Sequence, residues 1–273
     1  MDIFSYQKKD TLIKLDNISL SFGDKLILKS ISIEIKDIVR EGYCQGQIIG
    51  ILGRSGAGKS QLSRILTGLN IPTTGTVTVA GKKVESGMVG YVPQNYPLFK
   101  HRTVMGNLLV ALEYANITNQ MAKARVIEYL NKFDLLDKAE LYPSQLSGGQ
   151  AQRIAIIQQL LCSEHYLVLD EPLTGLDLIN KDLVCELIMQ ISNMHEENTI
   201  FVIAHDIPAL VAISDHLWLL GRDYDSNNKI IPGTYLKKEY NLIDRGLAWK
   251  KDVSKTKEFA DFVVEIKNEF KNL

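Results

Sequence analysis

Two short glycine-rich stretches carry most of the chemistry this chain can do. The first is Gly53-Arg54-Ser55-Gly56-Ala57-Gly58-Lys59-Ser60, a G-x-x-x-x-G-K-S pattern. Glycines let backbone N–H groups turn inward around a polyphosphate without Cβ clashes, and a helix that starts at the end of the run adds its positive dipole end. Lys59 is the side chain placed to reach the outer phosphates, and the Ser60 hydroxyl is a ligand for Mg²⁺. The second stretch is Leu146-Ser147-Gly148-Gly149-Gln150, continuing Ala151-Gln152-Arg153. Ser147 and two glycines at the start of a helical pattern expose further N–H groups, a second surface for an anion. One chain thus offers two phosphate-binding surfaces of different type.

The flanking elements suit this reading. Gln47 to Leu52 is a compact apolar strand that runs into Gly53, and Leu62, Ile65, Leu66 and Leu69 follow at helical spacing. Leu12–Ser21 and Leu26–Ile35 alternate as strands about a turn at Gly23-Asp24, with Asp37–Gly46 as a polar loop after them. Thr76–Val79 and Val89–Val92 read as further strands. Residues Thr103 to Asp137 are mostly helix formers, with Val126, Leu130 and Phe133 on one face. A helix follows Gly149, through Ile154 to Leu161. The apolar strand Tyr166–Leu169 ends at Asp170-Glu171-Pro172, a helix spans roughly 180–194, and the strand Thr199–Ala204 ends at His205. Strands alternating with helices predict an α/β fold with a mainly parallel sheet covered on both faces.

Leu-Ser-Gly-Gly-Gln followed by Gln-Arg, downstream of the phosphate loop, resembles the signature of the ATP-binding cassette (ABC) family. The resemblance covers roughly residues 11–222. It implies a P-loop NTPase core with a mainly parallel sheet, an antiparallel β subdomain and a small α-helical subdomain, here about 95–160. In that family two ATP molecules are sandwiched between two cassettes, the signature of one closing on the γ-phosphate held by the other. The resemblance therefore assigns ATP binding to Gly53, Arg54, Ser55, Gly56, Ala57, Gly58, Lys59, Ser60 and Gln61, and signature contacts to Ser147, Gly148, Gly149 and Gln150. Asp170 looks like the Walker B acid that holds the Mg²⁺ shell, and Glu171 the general base or water-orienter; two neighbouring acids suit those separate roles. Gln94, in Tyr91-Val92-Pro93-Gln94, resembles the Q-loop glutamine, which makes Ser60, Gln94 and Asp170 the Mg²⁺ set. Asp177, in Thr174-Gly175-Leu176-Asp177, matches the D-loop. His205 resembles the switch histidine, so that Glu171, His205 and Lys59 form the implied catalytic group. Phe22 occupies the position where an aromatic ring stacks on adenine, with Phe for the commoner Tyr. Gln61 stands where Thr is commoner. His101, His165, His195 and His216 receive no role.

Each motif occurs once, so the chain cannot close an ATP sandwich within itself; a second cassette, as a homodimer or an unlike partner, is expected. Lys plus Arg is 31 and Asp plus Glu 32, a net charge of −1, which argues against a nucleic-acid partner. The helical insert is too short for the coiled coil of DNA-repair relatives. No uncharged apolar run approaches the roughly 18–20 residues that span a bilayer, so no direct membrane insertion is expected and membrane work requires spanning permease subunits. The expected function is the ATP-hydrolysing subunit of an importer, cytoplasmic and peripheral on the inner face of the cell membrane. The alternative is a soluble cassette ATPase such as an iron–sulfur assembly type. The connection Gly81–Gln94 and the stretch Leu98–Leu108 look like importer cassettes for oxyanions, organic anions or polar amino acids. Pro97–Val104 would lie at the docking groove, with Leu98 and Phe99 equally suited to a core. Cys44, Cys162 and Cys185 make no disulfide framework or zinc spacing.

Two segments depart from the family pattern. The loop Asp37–Gln45 is longer than usual. The C-terminal extension, 223–273, carries an amphipathic pattern of Phe259, Phe262, Val263, Ile266 and Phe270. Packing onto its own domain and a regulatory or dimer contact are both open for it.

Overall fold

The structure, a computed structural model, describes residues 5–114, 119–163, 165–227, 229–271 and 273. Residues 115–118 of the anticipated helical stretch, 1–4 of the polar N-terminus, and 228 and 272 of the extension lie outside the described residues.

Two sheets share the molecule. β1 (Gln7–Phe22) and β2 (Lys25–Val39) form a long antiparallel ribbon closed by Gly23-Asp24. Gly23 takes φ 56°, a left-handed value that glycine adopts without Cβ strain. β4 (Thr74–Val79) pairs with β1, and the two-residue β5 (Lys82–Lys83) pairs with β4, which gives the order β2-β1-β4-β5. The second sheet has the order β10-β9-β3-β8-β7-β6, from β3 (Gln47–Gly53), β6 (Gly90–Val92), β7 (Tyr166–Asp170), β8 (Thr199–Ile203), β9 (His216–Gly221) and β10 (Tyr235–Asn241). Every pairing in it is parallel except β10 on β9.

β3, β7 and β8 are buried at every position, which is why they read as unbroken apolar runs rather than alternating ones. Period two then divides their side chains between two cores. Ile49, Ile51, Val168, Phe201, Ile203, Trp218 and Leu220 pack under the antiparallel sheet, together with α1 (Lys59–Leu66). Ile48, Leu52, Leu167, Leu169, Ile200, Val202, Leu217 and Leu219 pack on the opposite face. That face is covered by α2 (Val104–Tyr114), α3 (Asn119–Lys132), α4 (Gly148–Cys162), α5 (Leu178–Ser192), α6 (Ile207–Ile213) and α7 (Lys257–Lys271). The fold is therefore the expected one.

The details shift in three places. β2 continues through Val39, so the anticipated loop begins at Arg40 rather than Asp37. The helical stretch divides into α2, α3 and a 3₁₀ turn at Leu136–Lys138. The extension supplies β10, an antiparallel edge strand with exposed Lys and Glu, a composition that discourages further pairing. Of the two readings of the tail helix, packing on its own chain is the one observed: Phe259, Phe262, Val263 and Ile266 of α7 are buried in the large core, with Phe270 against it.

Candidate functional site

Local backbone chemistry builds the phosphate loop. β3 delivers Gly53 into the interior, where a Cβ would stand 2.9 Å from the Leu220 carbonyl. Gly56 and Gly58 take φ 75° and 81°, and Gly58 caps α1 without a side-chain hydrogen bond. The first N–H groups of the helix consequently have no side-chain acceptor at the cap, as an anion cradle requires. Lys59 is buried, and its Nζ donates to the carbonyls of Gly53 at 2.8 Å and Arg54 at 3.3 Å. Burial lowers its pKa, opposed by the carboxylates of Glu171 and Asp170. A buried ammonium resting on backbone carbonyls beside two acids is one that a phosphate could draw off. Arg54, Ser55 and Ser60 are exposed and Ala57 is buried. Gln61 is half-buried, and its side-chain oxygen accepts from Asn70 Nδ2 at 2.8 Å.

The acids stand at the end of β7. Asp170 is buried and accepts from the Tyr91 hydroxyl at 3.1 Å. Burial, with the Asp170 charge adding, pushes the Tyr91 phenol up to about 12, so it remains a donor. Glu171 has φ 55°, a costly left-handed value for a non-glycine residue, held by its N–H bond to the Ile203 carbonyl at 2.8 Å. That kink turns its side chain out of the strand direction. Glu171 Oε1 then lies 2.9 Å from His205 Nε2, and Oε2 accepts from Thr174 Oγ1 at 3.0 Å. Glu171, Thr174, Gly175 and His205 line one cleft of about 300 Å³. Ser60 and Gln94 are exposed, and with Asp170 they offer the oxygen donors that Mg²⁺ prefers.

The second glycine stretch is a capping box: Gln150 N–H donates to Ser147 Oγ at 3.3 Å, and Ser147 N–H to Gln150 Oε1 at 2.9 Å. Gly148 is exposed, and a Cβ there would sit 3.7 Å from the Tyr96 hydroxyl, beside the segment carrying Gln94. Gly149 is buried against Asn180, whose Oδ1 would meet a Cβ at 2.9 Å. Asn180 in turn donates to Asp177, the N-cap of α5, whose carboxyl its backbone N–H holds below the usual range. Asn180 thereby links signature residue Gly149 to D-loop residue Asp177. Phe22 ends β1 and is 55% exposed, available for stacking.

Sequence reasoning missed four residues around the loop. Arg222 Nη2 donates to the Gly56 carbonyl and its Nε to Thr234 Oγ1 at 2.9 Å. Arg54 Nη1 donates to the Tyr224 hydroxyl at 3.1 Å, and its Nη2 to the Lys271 carbonyl. The extension therefore braces the phosphate loop. Tyr91 belonged to the Tyr-Val-Pro-Gln run that identified Gln94, and so carried a signal; Arg222, Tyr224 and Thr234 carried none.

A strand–glycine loop–helix with a buried lysine, a strand-end acid and a second glycine-led helix defines a P-loop nucleotide-binding protein. The sequence matches the ABC transporter family over residues 39–174. It is 35% identical over 224 residues to the probable sulfate/thiosulfate import ATP-binding protein of Chlorella vulgaris, covering 80% of this chain and 89% of that one. It is 34% identical to the methionine import ATP-binding protein of Carboxydothermus hydrogenoformans, over 76% of this chain and 62% of the relative. Among solved structures it superposes on cbiO1 from Clostridium perfringens, part of the ABC transporter complex cbiONQ, with a TM-score of 0.73, 22% identity and coverage of 95% and 94%. The chain belongs to the ABC transporter family of ATP-binding proteins. It spans about three fifths of the length of several curated relatives it matches.

Proposed function

We propose that this chain is a Mg²⁺-dependent ATPase subunit that powers an importer. The observation that carries the reading is the Glu171–His205 pair, 2.9 Å apart at the ends of neighbouring strands, on a chain whose relatives are import ATP-binding proteins. ATP would lie with its adenine on Phe22 and its phosphates on residues 53–61. Lys59 would turn from the Gly53 and Arg54 carbonyls onto phosphate oxygens. Mg²⁺, held by Ser60, Gln94 and Asp170, would neutralise charge between the β- and γ-phosphates. Glu171, in line with a proton-accepting role, and His205 would orient the attacking water. A second cassette would bring Ser147, Gly148, Gly149 and Gln150 over the γ-phosphate, with Asp177 at the seam. Leu178 and Ile179, 75% and 74% exposed beside Asp177, support a partner at that face.

Among the described residues no helix is long and apolar enough to cross a membrane. Membrane-spanning permease subunits, and a place on the inner face of the cell membrane, follow from the proposal rather than from a span in the chain. A groove lined by Leu98, Phe99, Val110 and Ala111 supports permease docking: Phe99 is 46% exposed, while Leu98 packs against the core. Two measurements test the reading. ATP hydrolysis should fall by at least about 10²-fold in Glu171→Gln, and that variant should sediment as a dimer with MgATP; a monomer with ATP and partners present rejects the sandwich. Affinity purification from solubilised membranes should recover a multi-span protein; recovery of soluble partners alone would favour the assembly-factor alternative.

A further inference from the structure

At the other ends of the strands that carry Glu171 and His205 lies a cluster the nucleotide chemistry does not use. His165 immediately precedes β7, and His195, Glu197 and Asn198 form the turn from α5 into β8. One ligating atom each from His165, His195 and Glu197 lies within 4.8 Å of the other two. The two imidazole rings stack with centroids 4.2 Å apart and planes at 32°.

The hydrogen bonds fix which nitrogen of His165 faces the cluster. Asn198 is buried and its Nδ2 donates to the Ile191 carbonyl at 2.7 Å. Its Oδ1 is therefore the atom that meets His165 Nδ1 at 3.1 Å. An amide oxygen only accepts, so Nδ1 carries the hydrogen, and in the neutral ring Nε2 carries the lone pair. That Nε2 stands 3.7 Å from Glu197 Oε2. In the neutral ring this sets two acceptors face to face, an arrangement that a proton on Nε2 or a metal ion between the two resolves; stoichiometric metal binding distinguishes them. His195 Nδ1 accepts only a long bond, 3.2 Å, from the Glu197 N–H. Asp37 has a buried Oδ1 with no hydrogen-bond partner among the described residues; burial raises its pKa, Lys9 opposes that shift, and Glu196 and Glu197 add to it.

We propose that His165, His195 and Glu197 bind one divalent transition-metal ion of zinc's class, with Asn198 orienting His165. Two imidazoles and a carboxylate form the mixed nitrogen–oxygen set that zinc takes, with water free to complete a tetrahedron. Ligand atoms on one zinc stand about 3.3 Å apart at ordinary bond lengths. The present separations, within 4.8 Å, would close to that on rotation of the exposed His195 and Glu197 side chains, which releases the bond to His195 Nδ1. The Asn198–His165 bond is the outer-shell contact such ligands use to hold tautomer and ring orientation. The site is separate from the Mg²⁺ position: the six residue steps along β7 from His165 to Glu171 span about 20 Å at ordinary strand rise. A bound ion would tie the start of β7 to the start of β8.

The test is calorimetric titration of Zn²⁺ into chelator-washed, nucleotide-free protein in phosphate-free buffer. One equivalent should bind tightly, and Glu197→Gln and His195→Ala should each weaken binding by about 10-fold or more. His101→Ala, outside the cluster, should leave it unchanged. Zn²⁺ should raise the melting temperature of the unaltered protein and not that of the variants. Cobalt(II) should give ligand-field bands without a strong thiolate charge-transfer band. Melting without metal shows whether each variant folds; Glu197 is exposed, so Glu197→Gln carries the test if His195→Ala does not fold. Absence of a one-to-one site, undiminished binding by folded Glu197→Gln, loss of binding in His101→Ala, or a thiolate band would overturn the assignment.

Discussion

His205 Nε2 lies 2.9 Å from Glu171 Oε1, while Thr174 Oγ1 occupies the second carboxylate oxygen at 3.0 Å. The carboxylate is thus held from both sides before any substrate arrives. Its backbone holds a left-handed φ of 55°, a strain worth of order 1–3 kcal/mol that surrounding contacts must offset. Glu171→Gln keeps the shape and loses the proton acceptor. Phosphate release should fall by about 10²–10³-fold with ATP binding retained. Near-normal turnover would remove Glu171 from the proposed role.

Lys59 connects the phosphate loop to both acids. Its Nζ rests on the Gly53 and Arg54 carbonyls, and burial lowers its pKa while the charges of Glu171 and Asp170 oppose that shift. Lys59→Ala removes the cation and leaves those carbonyls without their donor. Equilibrium binding of labelled ATP should weaken by at least about tenfold, the equivalent of one charge-assisted hydrogen bond. Unchanged ATP affinity together with unchanged hydrolysis would contradict the placement.

Arg222 braces the loop from outside through Gly56 and Thr234. Among the described residues its hydrogen bond to the loop is to a backbone carbonyl, so Arg222→Ala should raise the KM for ATP more than it lowers kcat. Thr234→Val, which removes only the second contact, should show a smaller shift of the same kind. A kcat defect with KM unchanged would point to a different role.

Asp215 is buried, accepts the Ile48 N–H at 2.6 Å and has its pKa raised to about 7 by burial. An acid whose folded pKa lies above its unfolded value of about 3.9 binds more protons when folded. Its contribution to stability is therefore greatest at low pH and declines as pH rises from about 4 to 7. Thermal melting of Asp215→Asn should lack this decline, so the difference between the two proteins should vary with pH over that window. Parallel pH profiles would refute the buried-acid assignment.

Asn107 is buried and ties down the turn before α2. Its Nδ2 donates to the carbonyls of Phe99, Arg102 and Thr103, its Oδ1 accepts the Phe99 N–H at 2.7 Å, and its own carbonyl accepts from Gln158. Asn107→Ala leaves the Phe99, Arg102 and Thr103 backbone groups without their side-chain partner, keeps the bond from Gln158, and should cost about 3 kcal/mol of stability. Denaturant unfolding would read it; a loss below about 1 kcal/mol would mean the turn holds itself.

The glycine pattern from Gly53 to Gly58, the signature from Leu146 to Gln150, the strand-end pair Asp170-Glu171 and the apolar runs of β3, β7 and β8 were all legible along the chain. Each is a contiguous stretch whose spacing follows from local backbone geometry: a glycine where φ must turn positive, a cap before a helix, unbroken apolar residues where a parallel strand is buried on both faces. Contacts between distant residues were not legible. Tyr91 on Asp170, Arg222 on Gly56, β10 on β9, and the meeting of Arg40 with Trp249 at 5.2 Å depend on which distant segments become neighbours. His165 and His195 illustrate this most directly. Read singly they received no role, because nothing local distinguishes a histidine before a strand. The parallel pairing of β7 with β8, Tyr166 opposite Thr199, brings them together at the same end of the sheet. Local spacing specifies the pieces of the phosphate machinery; strand order and register, set by burial of both sheet faces, decide what stands beside each piece.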